Sequence, residues 1–368
     1  MTKRIGLWNP YLDTIGGGEK HLIQICNFFI RNGYELTIFW DKNIQKQIEQ
    51  KLSLKMPEST RWEPSFKSLN WSQKQHLVRP LDILLYATDG SYFYSPAKHT
   101  ICFCMVPEEK LYKMNLVNKL KTHNWSYISN SRFTQKHLYR WGIKSHVVYP
   151  VIEEPPKTFP QVIHRGTALN FLSVGRFFRH LHSKRHDVAV AWFVNFIETN
   201  PQFARSKLIW AGGLKKEDSQ YFESLKKLAS QYDNIEFRPN ISSPDLEKAY
   251  ATADFYIHFA GWQVNETSTP ERTEHLGITP LEAMMRGCIA VCYRSGGIKE
   301  IIKDGENGFT FTQLPELSQK IISVVKNPNN ADNIRKSAIE TVRTLFSSYA
   351  LDETLKSLYH KLLKAKNK

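Results

Sequence analysis

The stretch "RIGLWNPYLDTIGGGEKHLIQICNFFIRNGYELTIFW", residues 4–40, decides the fold. An apolar run leads into a glycine triplet, a helical apolar spacing follows and stops at Asn32-Gly33, and a second apolar run begins at once. That order predicts a β-loop-α-β unit. Outward from it, "LDILLYAT", "TICFCMV" and "WSYISN" predict buried strands, "SRFTQKHLYRWGI" predicts a helix closed by Gly142, and the first domain ends at the strand "SHVVYP". Residues 150–170 hold four prolines without periodicity, which marks a linker. The alternation then restarts: "LNFLSVG", "SKLIWAG", "NIEFRP", "DFYIHFA", "CIAVCY" and "GFTF" predict strands, and the helical patterns "DVAVAWFVNFIE", "QYFESLKKLAS", "SPDLEKAYATA", "TPLEAMMRG" and "GIKEIIKDG" separate them. Such alternation predicts parallel sheets covered by helices on both faces, so the expected architecture is two doubly wound α/β domains with a ligand cleft between them.

The chain has 368 residues, which suits two domains, and 41% hydrophobic against 23% charged residues supplies a sizeable core and excludes a disordered chain. No run of eighteen apolar residues is present, and Pro10 arrives before any apolar stretch long enough for a signal peptide, so a cytoplasmic location is expected. Five cysteines without C-x-x-C spacing indicate neither a disulfide framework nor a zinc site. The formal net charge is +15 and unevenly placed: residues 1–150 carry 21 Lys/Arg against 11 Asp/Glu, and residues 151–368 carry 29 against 24. A basic surface favours phosphate-bearing substrates, an acidic membrane or nucleic acid. In "KLYKMNLVNKLKTHNW", Lys110, Lys113, Lys119 and Lys121 alternate with apolar residues, a pattern that suits either a helix covering a core or one lying on a bilayer.

Three loops at strand ends carry candidate chemistry. Gly16-Gly17-Gly18-Glu19 opens a helix after a strand, where bare N–H groups approach a phosphate; the alternative is a tight turn with positive φ. In "FLSVGRFFRHLHSKRHD", Arg176 and Lys184 flank a loop and would converge on a diphosphate, Arg by its fork and Lys as a mobile charge, unless the loop is simply solvated. "EHLGITPLEAMMRG", residues 274–287, holds Glu274 and Glu282 eight positions apart. Thr279-Pro280-Leu281-Glu282 has the form of a capping box, which would explain Glu282 by its own helix but leaves Glu274 unexplained. The N–H groups of His275, Leu276, Gly277 and Ile278 would form a second anion-binding terminus. Glu274 would then accept sugar hydroxyls on one side of a diphosphate and Glu282 ribose hydroxyls on the other.

With these motifs in their order, the chain resembles, nearly end to end, the retaining glycosyltransferases of family 4. Glu274 and Glu282 match that family's Glu-x7-Glu signature, "SVGRF" with Lys184 resembles its diphosphate loop, and "GGGE" resembles its N-terminal glycine loop. "HFAGW", "PERTEHLGITPLEAMMRGCIAV" and "GGIKEIIKDGENGF" are similar to its C-terminal domain in order and spacing. The resemblance implies a GT-B fold, two Rossmann-like domains facing each other across a cleft: an acceptor domain over 1–155, a nucleotide-sugar domain over 156–350, and a basic helix over 351–368 packing back toward the first. It implies that Glu274 contacts the transferred sugar, Glu282 the ribose, Arg176 and Lys184 the diphosphate, Gly17 and Gly18 the donor, and Asn240 and Ile241 the base. Two positions depart from the pattern: Met105 stands where many members carry a histidine near the reacting sugar, and Leu276 where Phe is usual.

"NPYLDTIGGGEKHL" with "EHLGI" looks closest to the mannosyltransferases that extend lipid-linked oligosaccharides, which implies hexose transfer from GDP-mannose to a glycan or lipid-linked acceptor. No resident cofactor is expected, the nucleotide sugar being a substrate; without an Asp-x-Asp pair, cations and a helix terminus would replace a metal. Peripheral contact with an anionic membrane is expected and nucleic acid is not, because the basic excess lacks the interleaved aromatics of RNA binders. The rivals are another GT-B nucleotide-sugar enzyme such as an epimerase, and a noncatalytic basic membrane- or nucleic-acid-binding module.

Overall fold

A computed structural model describes residues 2–156, 166–179 and 183–365, with side chains to 361. Part of the Pro-rich linker, residues 157–165, therefore lies outside the described residues, as do positions 180–182 of the basic loop and the tail 366–368. The chain divides into two compact units, Met1–Val151 with Ser347–Lys368, and Ile152–Phe346.

In the first unit the order is β1 (Lys3–Trp8), α1 (Gly17–Arg31), β2 (Tyr34–Phe39), α2 (Gln45–Leu52), β3 (Arg61–Glu63), α3 (Trp71–Val78), β4 (Ile83–Ala87), β5 (His99–Cys104), α4 (Leu116–Lys121), β6 (Trp125–Ser129), α5 (Arg132–Arg140) and β7 (Ser145–Val147). The sheet runs β3-β2-β1-β4-β5-β6-β7, every pair parallel. α1 shows why the local sequence folds as it does. Leu22, Ile23, Ile25, Cys26, Phe28 and Phe29 are buried on a helical period, Glu19 accepts from the N–H of Gly16 at 2.9 Å to cap the start, and Gly33 at φ +83° ends it. One apolar cluster fills the α1 side of the sheet and a second, containing Trp8, Phe66, Tyr86 and Trp125, fills another part of the unit. The segment Lys110–Trp125, expected as one amphipathic stretch, is instead a 3-10 turn (Glu109–Tyr112) and the short α4, capped by Asn115, whose side chain accepts from Asn118 N–H.

The second unit runs β8 (Asn170–Val174), α6 (His186–Thr199), β9 (Lys207–Gly212), α7 (Ser219–Ala229), β10 (Ile235–Pro239), α8 (Ser243–Thr252), β11 (Phe255–His258), α9 (Ile278–Met285), β12 (Ile289–Tyr293), α10 (Ile298–Ile301), β13 (Phe309–Phe311), α11 (Leu314–Lys326) and α12 (Pro328–Leu345). A final helix, α13 (Ser348–Ala365), belongs to the first unit, where Leu351, Leu355 and Leu358 join the α1 cluster. The second sheet is ordered β10-β9-β8-β11-β12-β13, again all parallel. Its central strands are apolar on both faces, as burial beneath two helical layers requires: β11 is wholly buried. The order reverses between β8 and β11, and in open α/β sheets the crevice beyond the carboxyl ends of two such strands is where ligands bind.

Candidate active site

β8 ends at Val174, just before Gly175, and β11 ends at His258, so the turn leading to α6 and the loop leading to α9 both start from the reversal point. Lys184, at the end of the first of these, crosses Gly175 so closely that a Cβ there would lie 2.6 Å from Lys184 Cγ. Its Nζ donates to Glu274 Oε2 at 2.5 Å, and the Nε2–H of His258 donates to the same oxygen at 2.8 Å. The Glu274 and Lys184 side chains are each 12% exposed and that of His258 is 1% exposed. Burial by itself would raise the Glu274 carboxyl, but the Lys184 ammonium and the His258 donor outweigh it and hold the group well below the usual carboxylate range. Burial keeps His258 below its ordinary value, so the imidazole is neutral and serves as a donor. Among the described residues no donor reaches the other carboxylate oxygen, Oε1.

The backbone around Glu274 is fixed by a glycine pair. Gly297 N–H donates to the Glu274 carbonyl at 2.7 Å; a Cβ on Gly296 would lie 2.0 Å from that carbonyl oxygen, and one on Gly297 2.4 Å from the His275 carbonyl. Only glycines allow this approach. His275 is buried and donates from Nε2 to the Glu271 carbonyl at 3.1 Å. The N–H groups of Leu276 and Gly277 have no acceptor among the described residues, and they precede the first turn of α9, so the terminus keeps an unsatisfied, electropositive rim.

The capping box on Thr279 is not formed. α9 begins two residues earlier, with Gly277 at φ +105° as its N-cap and no side-chain cap, and Thr279 Oγ1 instead accepts from the Tyr256 hydroxyl at 2.7 Å. Glu282 consequently sits beyond the first three helical positions, half-buried, and its Oε2 accepts from the Tyr250 hydroxyl at 3.1 Å. Its own helix start does not account for it.

Other expected residues are placed differently. Arg176 is exposed, its guanidinium lies 4.5 Å from the Phe178 ring centroid, and it makes no ion pair among the described residues, whereas Lys184 pairs with Glu274. Asn240, at φ +52°, clamps the end of β9, with Oδ1 accepting from Leu214 N–H at 2.9 Å and Nδ2 donating to the Leu214 carbonyl at 3.2 Å. Ile241 packs with the apolar cluster of Tyr250 and Tyr256. In the first unit none of Gly16, Gly17 and Gly18 has positive φ, so the tight-turn explanation fails; Gly18 instead faces Met105, whose sulfur would lie 2.4 Å from an added Cβ. All five cysteines are buried free thiols.

His258 is the functional candidate that the sequence did not single out. Its only signal is a polar side chain closing the apolar strand "DFYIHFA" at its carboxyl end.

Comparison with known proteins agrees with this architecture. The family model for "Glycosyl transferases group 1" matches residues 156–341, half of the chain. Among curated relatives, a GDP-Man:Man(3)GlcNAc(2)-PP-Dol alpha-1,2-mannosyltransferase of Dictyostelium discoideum is 25% identical over 228 residues, 59% of this chain and 42% of that protein. Human alpha-1,3/1,6-mannosyltransferase ALG2 is 26% identical over 217 residues, 56% of this chain and 49% of its own length. The chain thus spans less than half the length of either. Among solved structures, a glycosyltransferase from Rickettsia africae superposes with a TM-score of 0.74 at 17% identity, covering 99% of both chains, and shows the fold to be GT-B. The chain belongs to the group 1 glycosyltransferases.

Proposed function

We propose that this chain is a retaining, metal-independent hexosyltransferase that takes mannose from GDP-mannose and passes it to a glycan or lipid-linked acceptor at an anionic membrane surface. The observation that carries the reading is the Lys184–Glu274–His258 cluster at the strand-order reversal, beside the unsatisfied start of α9. A carboxylate held so far below its usual range is no proton donor at neutral pH, and with two donors on Oε2 it is a poor nucleophile. Its remaining capacity is to accept sugar hydroxyls at Oε1. Lys184 uses one of its three N–H donors on Glu274, and the others suit a diphosphate oxygen whose negative charge grows as the bond to the anomeric carbon breaks. The N–H groups of Leu276 and Gly277 and the Arg176 fork would share that charge. The acceptor hydroxyl attacks the face that the diphosphate leaves: the new bond from the anomeric carbon to acceptor oxygen forms as the old one to phosphate oxygen breaks, and the hydroxyl proton passes to the departing phosphate.

The donor assignment leans on the two curated relatives described above, both of which carry mannosyltransferase names and one of them a GDP-Man name. Incubation with a panel of nucleotide sugars, with and without EDTA, tests it. The expected result is consumption of GDP-mannose in preference to UDP-hexoses, unaffected by chelator, with the α configuration of the product seen by proton NMR. An inverted product or an absolute metal requirement would overturn the mechanism.

A further inference from the structure

Beside the donor residues lies a cavity of about 260 Å³ that neither Glu274 nor Lys184 lines. Its walls come from the β11–α9 loop, Gly261 to Thr269, from Arg272, and from Ser183 and Arg185 at the entry to α6. Two of the five non-glycine residues with positive φ among the described residues line it, Arg185 at +52° and Gln263 at +56°. Left-handed backbone at such residues is costly and persists where the surroundings enforce it, which is common at ligand sites.

Those surroundings are firmly built. Glu266 accepts from Gly296 N–H at 3.0 Å and pairs with Lys299, while Asn265 Oδ1 accepts from the N–H groups of Thr267 and Ser268 at 3.0 and 3.2 Å. Trp262 is backed by the rings of Phe259, Tyr293 and Phe311. Asp187 fixes the Arg185 fork through Nε and Nη2 at 3.1 and 3.0 Å, which leaves Nη1 over, and Arg272 has no ion-pair partner among the described residues. An indole wall, amide and hydroxyl groups and two guanidiniums form a surface for a sugar that carries a negative charge: the ring face suits a pyranose, and the arginines suit a carboxylate or phosphate.

We propose that this cavity binds an anionic sugar unit, a hexuronate or a phosphorylated hexose, of the acceptor. That the sugar belongs to the acceptor rests on the transferase reading; that it binds does not, because binding is measured without donor or turnover. Ligand-observed NMR titrations of the full chain with methyl mannoside, methyl glucuronide, mannose 6-phosphate and inorganic phosphate test it. At least one charged sugar should bind about tenfold more tightly than methyl mannoside, the scale of one charge-assisted hydrogen bond, and more tightly than inorganic phosphate. Which of the two binds distinguishes a carboxylate from a phosphate. Arg272→Gln, at an exposed position, should remove the preference, and Trp262→Leu should weaken the charged sugar while leaving inorganic phosphate unchanged. Equal affinity for neutral and charged sugars, no binding of any of them at millimolar concentration, or indifference to Arg272→Gln would overturn the proposal. Complete displacement of the sugar by GDP or UDP would place it at the donor residues instead and equally overturn it.

Discussion

Glu274 takes both of its donors on one oxygen, and this determines what each neighbour contributes. Lys184 supplies charge, which a diphosphate also needs, whereas neutral His258 supplies direction, holding the carboxylate plane so that Oε1 points away from both donors. Glu274→Gln, which keeps the shape of the side chain, should lower turnover at least about a hundredfold, the scale of losing one preorganised transition-state contact. Near-native turnover in the folded variant would remove Glu274 from the site. His258 is a positioning residue, and its test must separate orientation from packing. His258→Leu should lower kcat about tenfold, roughly one hydrogen bond, while His258→Gln, which still presents an N–H, restores most of it with little change in KM. Equal losses in the two variants would reduce His258 to a packing role. The sequence made Glu274 and Lys184 candidates because no helix cap explains Glu274 and because Lys184 flanks a loop at a strand end, with a solvated loop as the alternative. A lone histidine at the end of an apolar strand has many structural uses, so His258 became visible only when β11 was laid beside β8.

At the scale of elements, α9 and α4 show where local grammar fails and what remains. Thr279-Pro280-Leu281-Glu282 satisfies every rule of a capping box, yet the Tyr256 hydroxyl takes Thr279 and the cap lies at Gly277. Glu282 thus lies outside the cap, and its Oε2 accepts from the Tyr250 hydroxyl. Glu282→Gln keeps an acceptor for Tyr250 but loses charge, so nucleotide affinity should drop by about tenfold in an equilibrium binding assay while the melting temperature holds. Unchanged affinity would return Glu282 to a structural role. The strongly periodic strands and α1 were readable; α2, β3 and α3 were not, because their apolar residues are too few to reveal a period, and α4 is held by its Asn115 cap. α4 buries none of its residues: Leu116, Val117 and Leu120 are 74%, 57% and 66% exposed, with Lys119 and Lys121 beside them. A helix covering a core would have hidden its apolar side chains, whereas apolar residues among lysines suit an acidic bilayer, each lysine adding about 1 kcal/mol of attraction. Sedimentation with phosphatidylglycerol vesicles at low salt should therefore capture the chain, and phosphatidylcholine vesicles should not. Changing Lys110, Lys113, Lys119 and Lys121 to Gln should abolish the salt-sensitive part, and Leu116→Ser with Leu120→Ser the remainder. Binding indifferent to lipid charge and to both sets of changes would remove the membrane surface from the proposal.

For the whole molecule, strict alternation of apolar runs and helical periods was enough to specify two parallel sheets, because a strand buried beneath helices on both faces has to be apolar throughout. The alternation alone did not place α13, since a helix's apolar face does not name its partner; the family resemblance supplied the expectation that it packs back toward the first unit, where Leu351, Leu355 and Leu358 join the α1 cluster. The buried faces of the covering helices likewise enclose histidines that no composition count separates from surface ones. His21, edge-on to Phe103, and His186, between Phe177 and Trp210, are buried with Nε2 unpartnered among the described residues, and burial lowers each of them to about 3. A folded value below the unfolded one, about 6.5, means that the native state binds fewer protons, so stability rises with pH. The contribution is complete above about pH 6.5 and is lost progressively as the pH falls toward 3. At pH 5 the unfolded chain has gained both protons and the native chain neither, which costs about 2 kcal/mol for each histidine. Urea unfolding at pH 7 and pH 5 should show this loss. His21→Phe and His186→Phe each change stability at both pH values through packing, but the difference between the two pH values should shrink by about 2 kcal/mol per substitution. If the difference stays at its wild-type size in both variants, the acid lability resides in other groups and these two imidazoles are protonated in the native fold.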